Sequence, residues 1–343
     1  MLAAMAKAKS TYGLILSNRA LVTKGTPARG LIDMAVAAEN SGLVDAIWVG
    51  DSILSKPRLE CIPLLGAIGA HTSKVKLGVA CMATIAQRNP VLLALQWASL
   101  DVLSGGRTWL AACMGYPASQ HPMAAKELEV MGVQSKERPG RLEEMLQALR
   151  VLWTDEHASF HGKYYSFNDV NLLPKPKQNP CPIYIAGTPR PTQIGERGVE
   201  RSLRRIARYA DGWMTNQIEL AMFQDYLGRL RDMLVKVGRD PKDFKTVLYY
   251  GVSVNHDRAQ AFREAKTFLD AYYQKDFTRA GVEIWTACGP VEHCVGCLRG
   301  FIDAGVDHIA IRPIGDDLNE QFRIFLQELL PALSRAAREL GTP

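Results

Sequence analysis

Asp51 and Ser52 follow directly on the apolar run AIWVG, Ala46 to Gly50. An acid at such a point can take up a proton or orient a neighbouring loop. A serine cannot donate a proton near neutral pH as an imidazole does. His121, in a long polar stretch, is the best free imidazole for that role. Asn18 and Arg19 follow the first apolar run, and Arg312 lies in the last. Guanidinium groups there suit an anionic substrate, because they grip a carboxylate or phosphate at two points. The run PIYIAG ends in Ala186 and Gly187, with Thr188 and Arg190 just beyond. Exposed backbone N–H groups, a hydroxyl and a cation together make a cradle for a phosphate. Tyr116, Tyr164 and Tyr165 can stack and donate hydrogen bonds. Cys294 and Cys297 form one Cys-x-x-Cys pair with no second pair at zinc spacing. They read as packed thiols, and no metal site is expected. No G-x-S-x-G elbow, Walker loop or nicotinamide-binding glycine fingerprint is present.

Elements must hold these groups in place. Eight short apolar runs recur along the chain: Tyr12 to Ser17, Ala46 to Gly50, Val75 to Met82, Thr108 to Met114, Pro182 to Gly187, Gly212 to Asn216, Thr246 to Val254 and His308 to Pro313. Runs of this kind, without a polar face, are strands buried on both sides of a parallel sheet. Amphipathic stretches separate them. Thr26-Pro27 and Asn89-Pro90 open helices, and Ser104-Gly105-Gly106 closes one. Strand then helix, eight times, predicts an α/β fold, a single (β/α)8 barrel of the TIM type, with a doubly wound open sheet as the alternative. Catalytic groups then belong at the C-terminal strand ends. Two stretches before strand five exceed the repeat, 116–139 and 157–180, and read as insertion loops. No linker divides the chain, so one domain over residues 1–343 is expected.

The 343 residues allow a large core. With 41 basic and 35 acidic residues interspersed, the formal charge of +6 favours anions only weakly. No basic run or recognition motif points to nucleic acid. The seven cysteines are odd in number and scattered, which suggests reduced thiols and a cytoplasmic protein. No apolar segment approaches the roughly 20 residues that cross a bilayer, so no membrane association is expected.

The motifs WVGD (Trp48 to Asp51), QRNPVLLALQWASLDVLSGGR (Gln87 to Arg107), FHGKYYSF (Phe160 to Phe167), LPKPKQNPCPIYIAG (Leu173 to Gly187), ARYADGW (Ala207 to Trp213) and GPVEHCVGCLRGFIDAGVDHIAIRP (Gly289 to Pro313) occur in an order that resembles the luciferase-like monooxygenases. The resemblance implies a barrel that binds reduced FMN or a deazaflavin, coenzyme F-420, at its C-terminal strand ends. It implies that Ala80, Cys81, Met82 and Thr84 form a wall behind the coenzyme ring, and that Met114 and Gly115 pass close under it. It brings Tyr165 and the segment Ala186, Gly187, Thr188 and Arg190 to the coenzyme. Many relatives carry a histidine where this chain has Ser52. The activity implied first is FMN-dependent monooxygenation of a small organic substrate, with reduced FMN from a separate flavin reductase. The alternative is hydride transfer with coenzyme F-420, and a non-catalytic flavin-binding barrel comes third. A homodimer through the barrel helices near strands two and three is also implied.

Overall fold

The computed structural model describes residues 10–339. Its strands are β1 (Thr11–Ile15), β2 (Ala46–Val49), β3 (Lys76–Met82), β4 (Thr108–Ala112), β5 (Ala158–His161), β6 (Ser166–Val170), β7 (Ile183–Ala186), β8 (Gly212–Thr215), β9 (Lys245–Val254), β10 (Thr286–Gly289) and β11 (His308–Pro313). Eight of them close a parallel barrel in the order β9-β11-β1-β2-β3-β4-β7-β8, with β8 returning to β9. Closure excludes the open doubly wound sheet. The eight expected runs are these eight strands.

The inside of the barrel is filled rather than hollow. Trp48 is fully buried there, and its indole N–H donates to His308 Nε2 at 3.0 Å. That nitrogen must therefore be bare, so Nδ1–H donates to Thr11 Oγ1 at 2.7 Å. Burial lowers the His308 pKa to about 3 and keeps the ring neutral. Trp109 lies 5.7 Å from Trp48 and 5.3 Å from His308, centroid to centroid. Two glycines make the room. A Cβ on Gly13 would sit 2.7 Å from the Trp48 indole nitrogen, and one on Gly78 would sit 2.1 Å from Trp48 Cε3.

The expected helix signals act locally. Asn89 Oδ1 accepts the N–H groups of Val91 and Leu92 and caps the helix Pro90–Leu103. Gly105 and Gly106 turn the chain with φ of 75° and 88°. Arg107 then donates to the carbonyls of Gly69, Thr72, Val75 and Ser104, which fixes the entry to β4. Thr26 does not cap its helix. The capping position falls on Pro27, with no side-chain bond.

Two insertions shape the C-terminal mouth. Between β4 and β7 lie the helices Pro122–Val130 and Arg138–Thr154 and the antiparallel hairpin of β5 and β6. The stretch 116–139 is therefore largely helical rather than a long loop. Between β9 and β11 lie the helices Arg258–Tyr273 and Arg279–Trp285 and the short strand β10, paired with the end of β9. Four residues flanked by helices carry too little periodicity to announce β10.

The thiols depart from expectation at one place. Cys81 and Cys113, on neighbouring strand ends, form a disulfide with Cα atoms 5.9 Å apart. Cys294 is buried, and its thiol donates to the carbonyls of Ala287 and Gly289. Burial raises its pKa to about 12, so it is a packed thiol as expected. Among the described residues, no helix is long and apolar enough to cross a membrane.

Candidate active site at the barrel mouth

Asp51 leaves β2 and is at once bound on every side. Oδ2 accepts the Thr84 N–H at 2.9 Å and the Thr84 hydroxyl at 2.7 Å. Oδ1 accepts from Arg88 Nη2 at 2.9 Å, and the same nitrogen reaches Glu60 at 2.8 Å. Burial opposes the Arg88 charge, but Asp51 and its neighbours outweigh this and raise the guanidinium pKa. Asp51 thus ties β2 to the end of β3 and to the RNP motif. The oxygens of Asp51 and Glu60 and the Cys61 sulfur lie within 4.8 Å of one another. Arg88 already supplies the cation at this cluster.

Ser52 starts a turn held by a distant carboxylate. Glu127 Oε2, from the inserted helix Pro122–Val130, accepts the N–H groups of Ile53, Leu54 and Ser55 at 3.0, 2.6 and 2.9 Å. The Ser52 hydroxyl also donates to it, at 3.3 Å, and accepts the Lys56 N–H at 2.9 Å. Burial works to raise the Glu127 pKa, but the three amides and the Gln87 side chain hold it below the usual carboxylate value. Ser52 is therefore a brace for the turn.

The braced turn delivers Lys56 into the mouth. Its ammonium nitrogen lies 4.3 Å from the Tyr116 ring centroid and 4.4 Å from that of Tyr273. Three guanidinium groups stand nearby around Tyr272. Arg312, nearly fully buried at the end of β11, lies 4.2 Å from the Tyr272 centroid, Arg19 5.3 Å and Arg58 5.6 Å. Arg19 Nη1 also donates to the Tyr272 carbonyl at 2.5 Å. The Nε atoms of Arg19 and Arg312 are buried with no hydrogen-bond partner. Such orphaned donors are costly unless a ligand completes them. Burial resists ionisation of the Tyr272 phenol, yet Arg312, Arg58 and Lys56 together bring it well below the ordinary phenol value. Burial and the surrounding guanidinium charges lower the Lys56 pKa to about 8. Two of these groups, Arg19 and Arg312, were read from the sequence as anion binders. Lys56, Arg58 and Tyr272 were not, because nothing in SKPR or AYY distinguishes them from a solvated loop and a helix end.

The other expected residues have more modest places. Asn18 spends its amide on main chain: Nδ2 donates to Gly50 and Leu59, and Oδ1 accepts the Gly50 N–H. His121 Nδ1 caps the inserted helix through the Ala124 N–H, and its ring meets Tyr116 edge-on at 5.7 Å. Burial, then Lys56 and Arg19, lowers its pKa and keeps it neutral. The Tyr165 hydroxyl donates to the Ala86 carbonyl. The Thr188 hydroxyl donates to the Asn216 carbonyl at 2.5 Å, and Arg190 donates to that of Gln217. The Thr188 hydroxyl is thereby committed, whereas Arg190 has spent one of its five N–H donors. The Gly187 N–H is likewise spent on Met214.

The ends of β3, β4 and β7 lie side by side at the mouth. The pairing of β3 with β4 slips by one residue between Ala80 and Met82, beside the cis peptide Ala80–Cys81. Met82 and Thr84 are buried, whereas Cys81, Ala83 and Met114 are partly exposed. Just beyond β7, the neighbour of β4, a Cβ built on Gly187 meets nothing within 4 Å. A planar group bound here would meet partly exposed side chains at 81, 83 and 114 and open space at Gly187.

Gly115 is required for a reason other than the ring. Its φ is 71°, and a Cβ there would lie 2.7 Å from the Ala83 carbonyl oxygen. Arg138 locks the same segment by donating to the carbonyls of Met114 and Tyr116. Gly115→Ala is expected to cost about 2 kcal/mol and to displace Tyr116. Urea unfolding and near-ultraviolet circular dichroism check both effects.

Residues 11–308 match the family model of the luciferase-like monooxygenases. An F420-dependent glucose-6-phosphate dehydrogenase of Nakamurella multipartita is 27% identical over 330 residues, covering 88% of this chain and 92% of its own. One of the same name from Kineococcus radiotolerans is 25% identical over 350 residues, covering 94% and 98%. Among solved structures, an F420-dependent secondary alcohol dehydrogenase bound to an F420-acetone adduct superposes with a TM-score of 0.77 at 19% identity, over 95% of this chain and 99% of that one. The monooxygenase RslO1 of Streptomyces bottropensis gives 0.75 at 20%, over 94% and 99%. At these identities the two structures speak for the fold alone.

Proposed function

Since this chain belongs to the luciferase-like monooxygenase family, a family of oxidoreductases, we propose that it uses coenzyme F-420 to move a hydride to or from a small organic substrate with an anionic group. The observation that carries the substrate class is the mouth itself. Arg19, Lys56, Arg58 and Arg312 surround Tyr272, and two orphaned Nε donors are buried among them. Two relatives above, which match almost end to end and are F420-dependent by name, support this coenzyme. Reduced FMN, the coenzyme that the sequence resemblance put first, takes second place.

When bound, the coenzyme supplies or accepts the hydride. Cys81, Ala83, Met114 and Gly187 border the place for its ring. Arg19, Arg58 and Arg312 hold the substrate anion. The Tyr116 and Tyr273 rings keep water from the reacting centre.

Anaerobic titration with F-420 and with reduced FMN tests this reading, with coenzyme fluorescence and absorbance as readouts. Tight binding of F-420 alone, with turnover that ignores oxygen, is the expected result. Binding of FMN alone with oxygen-dependent turnover would overturn it.

A further inference from the structure

We propose that Lys56 is the catalytic acid and base of this site. It gives its ammonium proton to the substrate oxygen when a carbonyl is reduced, and its amine takes that proton back when an alcohol is oxidised. The assignment rests on the hydride-transfer reading above and deepens it.

Most of the other candidates at the mouth are committed elsewhere. Asp51 is clamped by Thr84 and Arg88. The Ser52 hydroxyl serves the turn and Glu127. His121 uses Nδ1 to cap a helix and leaves Nε2 buried without a partner, but burial, Lys56 and Arg19 lower its pKa and make it the weaker base. Guanidinium groups do not release protons in the working range of an enzyme. Lys56 differs from all of these. Among the described residues no carboxylate pairs with it, and its nitrogen is enclosed by rings.

Groups from every side face this amine. Tyr116 and His121 come from the first insertion, and Tyr272 and Tyr273 from the end of the helix Arg258–Tyr273. Arg58 comes from its own turn, Arg19 from beyond β1 and Arg312 from β11. Burial and the guanidinium charges disfavour the ammonium, whereas Tyr272 favours it. The balance leaves Lys56 lowered to about 8, close to the value at which one group both gives and takes a proton near neutral pH. A lysine tuned by burial and neighbouring cations is a known way to make such a group.

The step balances without another reactant. In reduction, the carbonyl carbon takes up the hydride that the coenzyme supplies. An ammonium N–H bond breaks as the O–H bond of the product forms. The neutral amine regains a proton from water once the product leaves. Arg19, Arg58 and Arg312 hold the substrate by its anionic group throughout. The Glu127 latch on residues 53–55 keeps the amine at the mouth.

The first test needs no coenzyme. Lysine is labelled with carbon-13 at Cε, and the resonance missing from Lys56→Arg identifies Lys56. Its titration is expected to show a midpoint near 8. A midpoint at the ordinary lysine value would overturn the assignment. The second test uses the coenzyme-loaded protein and a substrate that the wild type turns over. Lys56→Met is expected to lower kcat by about 10²–10⁴-fold, while F-420 affinity measured by fluorescence changes less than about twofold. Added methylamine is expected to restore part of the rate, and Lys56→Arg is not. If the wild type fails to bind F-420, the coenzyme reading falls and this role with it. If it binds and turns over but Lys56→Met keeps its kcat, the role of Lys56 alone falls.

Discussion

Lys56→Met is expected to make the folded protein more stable at pH 7 by about 3 kcal/mol, although it removes the proposed proton carrier. The folded pKa is lowered to about 8 from 10.5, and each unit corresponds to about 1.36 kcal/mol. The sign follows from proton counting. Between pH 8 and 10.5 the unfolded chain holds a proton that the native chain has released, so wild-type stability rises with pH across that window. Below pH 8 both states hold the proton, and the native state bears the whole penalty of an enclosed charge among like charges. The gap between variant and wild type is therefore largest at neutral pH and closes toward pH 10.5. Urea unfolding of both proteins at pH 7 and pH 10 measures it. Equal stability at pH 7 would mean that the ammonium is well solvated in solution. A gain is the usual signature of a site that trades stability for function.

Asp51→Ala is expected to cost about 3–5 kcal/mol, the range for breaking a buried pair from one side. The Asp51 side chain is 2% exposed and that of Arg88 15%, so water cannot replace the lost carboxylate. Thr84 would lose the acceptor of both its N–H and its hydroxyl at the same time. The end of β3 would then be released from β2. Adding Arg88→Met to Asp51→Ala is expected to recover part of the loss, because no uncompensated cation is left behind. Urea midpoints of the two single variants and the double variant test this. A cost below about 1 kcal/mol would place the pair among surface ion pairs and remove its role as the clamp of the mouth.

Much of the scaffold was legible in the chain itself. Runs such as AIWV and KLGVACM are apolar on both faces, and such runs have few places to go other than a covered parallel sheet. Asn89-Pro90 and Ser104-Gly105-Gly106 mark their helix ends because capping acts over three or four residues. Arg19 and Arg312 were found at the mouth because residues at or beyond a strand's C-terminal end in a barrel come there.

The rest was decided only in three dimensions. Thr188 had the right type for a phosphate, but the carbonyl at 216 took its hydroxyl. Cys81 and Cys113 met because β3 and β4 are neighbours, a pairing that spacing alone does not reveal. Lys56 is held in place by Glu127, 72 to 74 residues away from the amides it binds. Its pKa is lowered by burial, Arg58 and Arg312, against the pull of Tyr272. Periodicity and capping are interactions between near neighbours, so a linear chain displays them. Desolvation and the fields of distant charges exist only once the barrel has closed, and they are what separate Lys56 from an ordinary lysine in a loop.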